Sequence, residues 1–381
     1  MTANTPKLPI YLDYQATTPL DSRVLDKMMP FFTEHFGNPH SAEHRFGWQT
    51  EAAVNVARGQ AANVIGADDD EIIFTSGATE SNNIAIKGGA FALAGKKKHV
   101  ITVKTEHECV LASFNSLERL GFTVTYLDVD NEGLIHLSEL ENAITENTSL
   151  VSVMAVNNEI GVIQDLKAIG DICKKHEVLF HTDAAQGFGK IPLDVNEMNI
   201  DLVSISGHKI YGPKGIGALY IRKGVQVIPL FDGGGQEQGI RSGTLAPALC
   251  VGLGAASQIA KEEMEKDADY LAILSKSLLE NIKLNNIRLN GSVDHRIPGN
   301  LNLTFEGVKS DLLIAELKNI AISSGSACSS AKQKSSYVLE AIGLSKEEVD
   351  ASIRIGFGRM TTEAEIEYTA EYITETVRKL S

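Results

Sequence analysis

Between Glu71 and Ser204 the sequence keeps returning to one rhythm, a short apolar run followed by a stretch with helical spacing. Glu71 to Thr75, His99 to Lys104, Thr123 to Val129, Leu150 to Val156, Val178 to His181 and Asp201 to Ser204 read as strands. Thr79 to Leu93 and Asp165 to His176 read as helices, with another between the second and third strands. Strands alternating with helices specify βαβ units, hence an α/β fold with a mostly parallel sheet and helices on both faces. Such sheets collect ligands at the C-terminal ends of their strands.

The flanks differ. Ile10 to Asp13 is a short strand, and Asn38-Pro39-His40-Ser41 leads into a helix from about Ala42 to Ile65. Past Gly243 a long helical pattern runs from about Leu245 to Lys283. Strands at Asn300 to Phe305 and Ser352 to Ile355 follow, then an amphipathic helix from Glu363 to Leu380. The expected organisation is a large domain over 16–259 and a smaller α+β domain formed by 1–15 and 260–381.

Composition narrows the classes. At 381 residues and 43% hydrophobic content there is ample material for a large core. A formal charge of -14 argues against a nucleic-acid binder. The four cysteines, Cys109, Cys173, Cys250 and Cys328, form no C-x-x-C pair. That suits a reducing, cytoplasmic setting and no disulfide framework. No basic-then-apolar signal pattern opens the chain. The uncharged run from Thr244 to Ala260 is broken by Pro247, Gly252 and Gly254 and reads as the start of a buried helix.

The polar clusters fall at strand ends. The strand 201–204 runs into Ser206-Gly207-His208-Lys209 and the glycine-rich Tyr211-Gly212-Pro213-Lys214-Gly215. A desolvated amine there loses its proton readily and suits Schiff-base chemistry, although a lone lysine in a glycine turn is also an ordinary surface feature. Thr75-Ser76-Gly77-Ala78-Thr79-Glu80 is a strand, a glycine turn and a helix start. It is either an anion site with hydroxyl donors or a plain cap, and neither a Walker A nor a dinucleotide turn. His107 follows the second strand, Asn157-Asn158-Glu159 the fourth, and Asp183 with Gln186 the fifth. A carboxylate at that edge is costly unless paired, and no clustered spacing supports a metal. An anion site, an imidazole, an amide, a carboxylate and a deprotonatable lysine together describe a pyridoxal phosphate pocket, with the carboxylate holding the ring nitrogen protonated.

The Ser323–Ala331 stretch is small and polar and is expected to be a mobile loop carrying Cys328, whose thiol is either reactive or incidental. Cys109, Cys173 and Cys250 lie in helical patterns and are expected in the core.

Nearly end to end the chain resembles the NifS/IscS-type cysteine desulfurases, within the fold-type I pyridoxal phosphate enzymes. The motifs that carry the resemblance include Ser76-Gly77-Ala78-Thr79-Glu80-Ser81-Asn82-Asn83, Thr105-Glu106-His107, Asn157-Asn158-Glu159-Ile160-Gly161 and Asp183-Ala184-Ala185-Gln186. They continue with Ser206-Gly207-His208-Lys209, Arg241-Ser242-Gly243-Thr244, Ser324-Gly325-Ser326-Ala327-Cys328 and Ile353-Arg354-Ile355-Gly356. The resemblance implies conversion of L-cysteine to L-alanine by a homodimer, with sulfur taken up by Cys328 as a persulfide. Lys209 would be the Schiff-base lysine, Asp183 the partner of the ring nitrogen, and His107 a ring-stacking group active in proton transfer. Gln186 and Asn158 would face the ring oxygen or the substrate. Ala78, Thr79, Ser206 and His208 would hold the phosphate, with Thr244 reaching in from the second subunit, and Arg354 would bind the substrate carboxylate. The chain stops at Ser381, without the longer tail some members use to dock a scaffold, which leaves the sulfur acceptor open. The stretch before Lys332 resembles the subgroup with an extended cysteine loop. A selenocysteine lyase, an aminotransferase and a non-catalytic sulfur-relay scaffold are the alternatives.

Overall fold

The computed structural model describes residues 6–324 and 335–381. A short first strand, β1 (Ile10–Tyr11), precedes the main sheet. That sheet comprises β2 (Ile72–Thr75), β3 (His99–Val103), β4 (Thr123–Leu127), β5 (Thr148–Ser152), β6 (Leu179–Asp183), β7 (Leu202–Ser206) and β8 (Gly217–Ile221). Among the described residues these seven are ordered β2-β8-β7-β6-β5-β3-β4. All pairs from β7 to β4 are parallel, while β8 is antiparallel to both of its neighbours.

The period of two explains how the sheet is covered. In β7, Leu202 packs in one apolar cluster while Val203 and Ile205 pack in another; in β5, Leu150 and Val151 divide likewise. One face meets Val110, Phe114 and Leu117 of the Glu108–Arg119 helix. The other meets Val54, Ala57 and Ala61 of the Arg45–Val64 helix and Leu253 of the long Pro247–Asn281 helix. Strands buried on both faces read as unbroken apolar runs, the pattern seen in the sequence.

A second unit follows. The strands β9 (Ile287–Leu289), β10 (Asn300–Phe305) and β12 (Ser352–Gly356) pair antiparallel, and β11 (Ile320–Ala321) lies parallel to β1. The Glu363–Leu380 helix covers the three-stranded sheet with Ile366, Ile373 and Val377, and opens on a Thr362–Glu365 capping box. The boundary expected at 260 falls inside the long helix, and Ala260 packs in the cluster of the large sheet. Val338, Leu339, Ile342 and Val349 do the same, so apolar burial draws this part of the chain toward the large sheet. No helix among the described residues is long and apolar enough to cross a membrane.

Candidate active site

Beyond the C-terminal ends of β3, β5, β6 and β7 lies one cavity of about 720 Å³. It is lined by Ala78, Thr79, His107, Asn158, Asp183, Gln186, Ser206, His208, Lys209 and Arg354, which all came from the sequence reading. Thr244 is exposed and does not line the cavity. Cys328 lies outside the described residues.

Lys209 ends a 3₁₀ turn, Gly207–Lys209, directly after β7. Its Nζ donates to the backbone carbonyls of Gln15 and of Ala16, the latter at 2.9 Å. The Gln15 carbonyl also accepts from Gln186 Nε2 at 2.8 Å, and Gln186 Oε1 accepts from Lys190 Nζ at 3.0 Å.

Asp183 closes β6, buried, with Oδ1 accepting from the Ala185 N–H at 2.9 Å and Oδ2 from Asn82 Nδ2 at 2.7 Å. Among the described residues no cation lies within ion-pair distance of it. The Asn82 amide also donates to Cys109 Sγ at 3.3 Å, and that sulfur stands 3.0 Å from His107 Nδ1. His107 is the N-cap of the Glu108–Arg119 helix, its Nδ1 accepting from the Cys109 N–H at 3.2 Å. A backbone N–H only donates, so the neutral ring carries its proton on Nε2.

The expectation that Cys109 is a core residue is corrected here. It is half-buried and lines the cavity, because the first turn of its helix lies at the cavity wall. Cys173 and Cys250 are buried as expected, and burial pushes each thiol up to about 12.

The other end of the cavity suits an anion. Gly77 has φ +152°, a backbone that L side chains rarely adopt, and it opens the Ala78–Asn83 helix. A side chain at Gly217 would meet the Gly77 Cα at 2.6 Å, so β8 can lie against this turn only as glycine. Glu80 closes the turn by accepting from the Ser76 N–H at 2.6 Å and from Arg241 Nε at 2.9 Å. Burial first, then the charges of Lys209, Lys214 and Lys190, bring the His208 pKa down to about 4, which leaves it neutral at pH 7. Amines thus gather here in a chain whose net charge is negative.

Arg354, on β12, is held by Asp13 Oδ1 at 2.7 Å and donates to the Asn158 carbonyl at 3.0 Å, while its Nε has no partner among the described residues. Beside it, Glu159 Oε2 accepts from Ser336 Oγ at 2.5 Å, and burial raises the Glu159 pKa. Gln15, Asn82 and Lys190 were not singled out by sequence reasoning, and Cys109 was read only as core. Asn82 sits inside the Ser76–Asn83 motif; Gln15 and Lys190 had no pattern to mark them.

The class-V aminotransferase family model matches residues 10–369. The chain belongs to the class-V aminotransferase family. Within that family it is 59% identical over 377 residues to cysteine desulfurase IscS of Rickettsia prowazekii (strain Madrid E), covering 98% of this chain and 92% of that one. Its likeness to cysteine desulfurase IscS of Rickettsia felis (strain ATCC VR-1525 / URRWXCal2) is 57% over 381 residues, covering 99% and 93%. Among solved structures, a NifS-like protein superimposes with a TM-score of 0.92 at 37% identity, covering 98% of this chain and all of that one. One titled SspA in complex with cysteine gives 0.83 at 42%, covering 93% and 100%.

The residues present fit the family's pyridoxal phosphate. A buried carboxylate with two N–H donors but no cationic partner among the described residues is costly, and a protonated ring nitrogen would complete it. The amine of Lys209 and the amine-rich, glycine-turn end of the same cavity suit the aldehyde and the phosphate.

Proposed function

We propose that this chain is a cysteine desulfurase that converts L-cysteine to L-alanine and passes the sulfur to Cys328. The observation that carries this reading is the single cavity that joins Lys209, Asp183, His107 and Arg354, in a chain 59% identical to a protein named for that activity. Pyridoxal phosphate, when bound, supplies a carbonyl for the substrate amine and an electron sink for the Cα–H bond.

The remaining chemistry belongs to the protein. Lys209 would hold the cofactor and is the amine placed to move a proton at the substrate carbons. Asp183, fixed by Asn82 and the Ala185 N–H, keeps a proton on the ring nitrogen. His107 presents Nε2–H to the cavity because the helix N-terminus occupies Nδ1. Ala78, Thr79, Ser206 and His208 hold the phosphate, and Gln186 and Asn158 orient the ring or substrate. Arg354 receives the substrate carboxylate, its guanidinium already oriented by Asp13. The net change breaks the substrate C–S bond and the Cys328 S–H bond, forms one S–S bond on Cys328 and places that proton in a new C–H bond on alanine.

The active unit is a homodimer with Thr244 at the second subunit's site. Phe32, Phe36, Phe46 and Trp48 are each more than half exposed, a cost that a second copy would relieve. A sulfur-acceptor protein completes the cycle, and iron–sulfur or thio-cofactor synthesis is the pathway this points to. The test is to supply L-cysteine with a reductant and measure alanine and sulfide. Equal amounts of both are expected, and alanine without sulfide, or neither, overturns the assignment.

A further inference from the structure

After β6 the chain turns tightly, with the Gly187 and Phe188 N–H groups both bonded to the Ala184 carbonyl and the Lys190 N–H to that of Gly187. Gly189 takes φ +68°, and a Cβ there would meet the Ala260 Cβ at 2.7 Å. This turn sets Lys190 four residues after Gln186 and on the same side of it, with the amine 3.0 Å from Gln186 Oε1. Gln186 Nε2 then reaches the Gln15 carbonyl, to which Lys209 also donates. Two lysines are therefore joined through one glutamine and one carbonyl.

Lys190 has no carboxylate within ion-pair distance among the described residues. It lines a narrow cavity of about 50 Å³ shared with Tyr14, Tyr211, Asp267 and Arg359. The first two are neutral phenols, raised by burial, and Asp267 is taken up by Arg359 at 2.9 Å. Burial and then the charge of Lys209 bring the Lys190 pKa down to about 7. His208, the remaining titratable neighbour, is neutral at that pH.

We propose that Lys190 is a positioning residue of this active site, fixing the Gln186 amide with its oxygen toward Lys190 and its N–H₂ toward Gln15, and setting the protonation of the nitrogen carried by Lys209. This rests on the desulfurase reading. Two positive nitrogens in one dry region disfavour each other, so a charge at Lys190 favours the unprotonated form at Lys209. A glutamine held at both ends also offers the cofactor a fixed amide.

The test uses Lys190→Met, which removes the amine but keeps the stem, and Lys190→Arg, which keeps the charge. The pH titration of the visible band of each holoenzyme is measured. In the cofactor-stripped proteins, the pH dependence of Lys209 labelling by an amine-reactive reagent is followed by mass spectrometry. Because Lys190 carries its charge only below about pH 7, Lys190→Met should raise both midpoints and these should lie below that pH, whereas Lys190→Arg, charged throughout, should hold them at or below wild type. If Lys190→Met fails to hold the cofactor, the labelling arm still decides. Midpoints that do not move in Lys190→Met overturn this proposal alone. A wild type with no visible band overturns the cofactor reading beneath it.

Discussion

Replacing Asp183 by Asn separates a structural carboxylate from a functional one. In the native site Oδ1 and Oδ2 accept from the Ala185 N–H and from Asn82 Nδ2. An asparagine keeps the first contact through its carbonyl but turns an N–H₂ group toward the Asn82 N–H₂. Asn82 can answer by rotating its amide, because its own Oδ1 is buried without a partner among the described residues. The local structure then loses the bond to Cys109 Sγ and little else, so the stripped protein should melt within a few degrees of wild type. What cannot be restored is the negative charge facing the ring nitrogen. A hydrogen bond to a charged group contributes roughly 1.5–3 kcal/mol, so cofactor affinity should weaken by about 10- to 150-fold. The assay is an equilibrium titration of stripped protein with pyridoxal phosphate, beside thermal melts of the same samples. Affinity within twofold of wild type together with a large fall in melting temperature would refute the reasoning and make Asp183 a folding residue.

Other expectations are simpler. Lys209→Ala should lose the visible cofactor band and all turnover while keeping the wild-type far-ultraviolet circular dichroism. Cys328→Ser should bind cofactor normally yet release neither alanine nor sulfide, since a serine hydroxyl is a weak nucleophile at neutral pH; mass spectrometry of wild type after brief exposure to cysteine should find one added sulfur on the Cys328 peptide. His181 lies buried between Ser152 Oγ and Ser204 Oγ with its pKa lowered to about 3, so the unfolded chain takes up a proton that the folded one refuses as pH falls below 6.5. Urea unfolding of wild type should therefore lose about 1.4 kcal/mol more per pH unit than His181→Gln between pH 6.5 and 4. Glu237→Gln should cost about 3–5 kcal/mol in the same assay, because it breaks a bidentate bond to Arg58 that is largely shut off from water.

The parallel sheet was legible because strands 99–103, 148–152 and 202–206 are buried on both faces and so read as apolar runs between helical stretches. Its edge position placed Asp183, Ser206 and Lys209 in one region before any coordinates. The antiparallel β8 was missed: its course depends on the glycine-rich return after Lys209, whose direction no periodicity encodes. Cys109 was misread because helical spacing reports which face is apolar, not that a first turn ends at a cavity. Lys190 escaped because it reaches Gln186 through a tight turn held by glycines rather than through a motif.

The N-terminal segment touches the site at many points: Asp13 holds Arg354, the Gln15 carbonyl meets Lys209 and Gln186, and Thr17 Oγ1 lies 3.1 Å from His208 Nδ1. A ribosome releases this segment long before Arg354. Vectorial synthesis therefore leaves Asp13 without its partner until Arg354 has emerged, although Gln15 and Thr17 can meet theirs earlier, and the seat for the substrate carboxylate is unfinished before then. Nascent chains halted before residue 354 should accordingly hold a folded sheet yet fail to retain L-cysteine, which makes substrate capture a report on the arrival of β12.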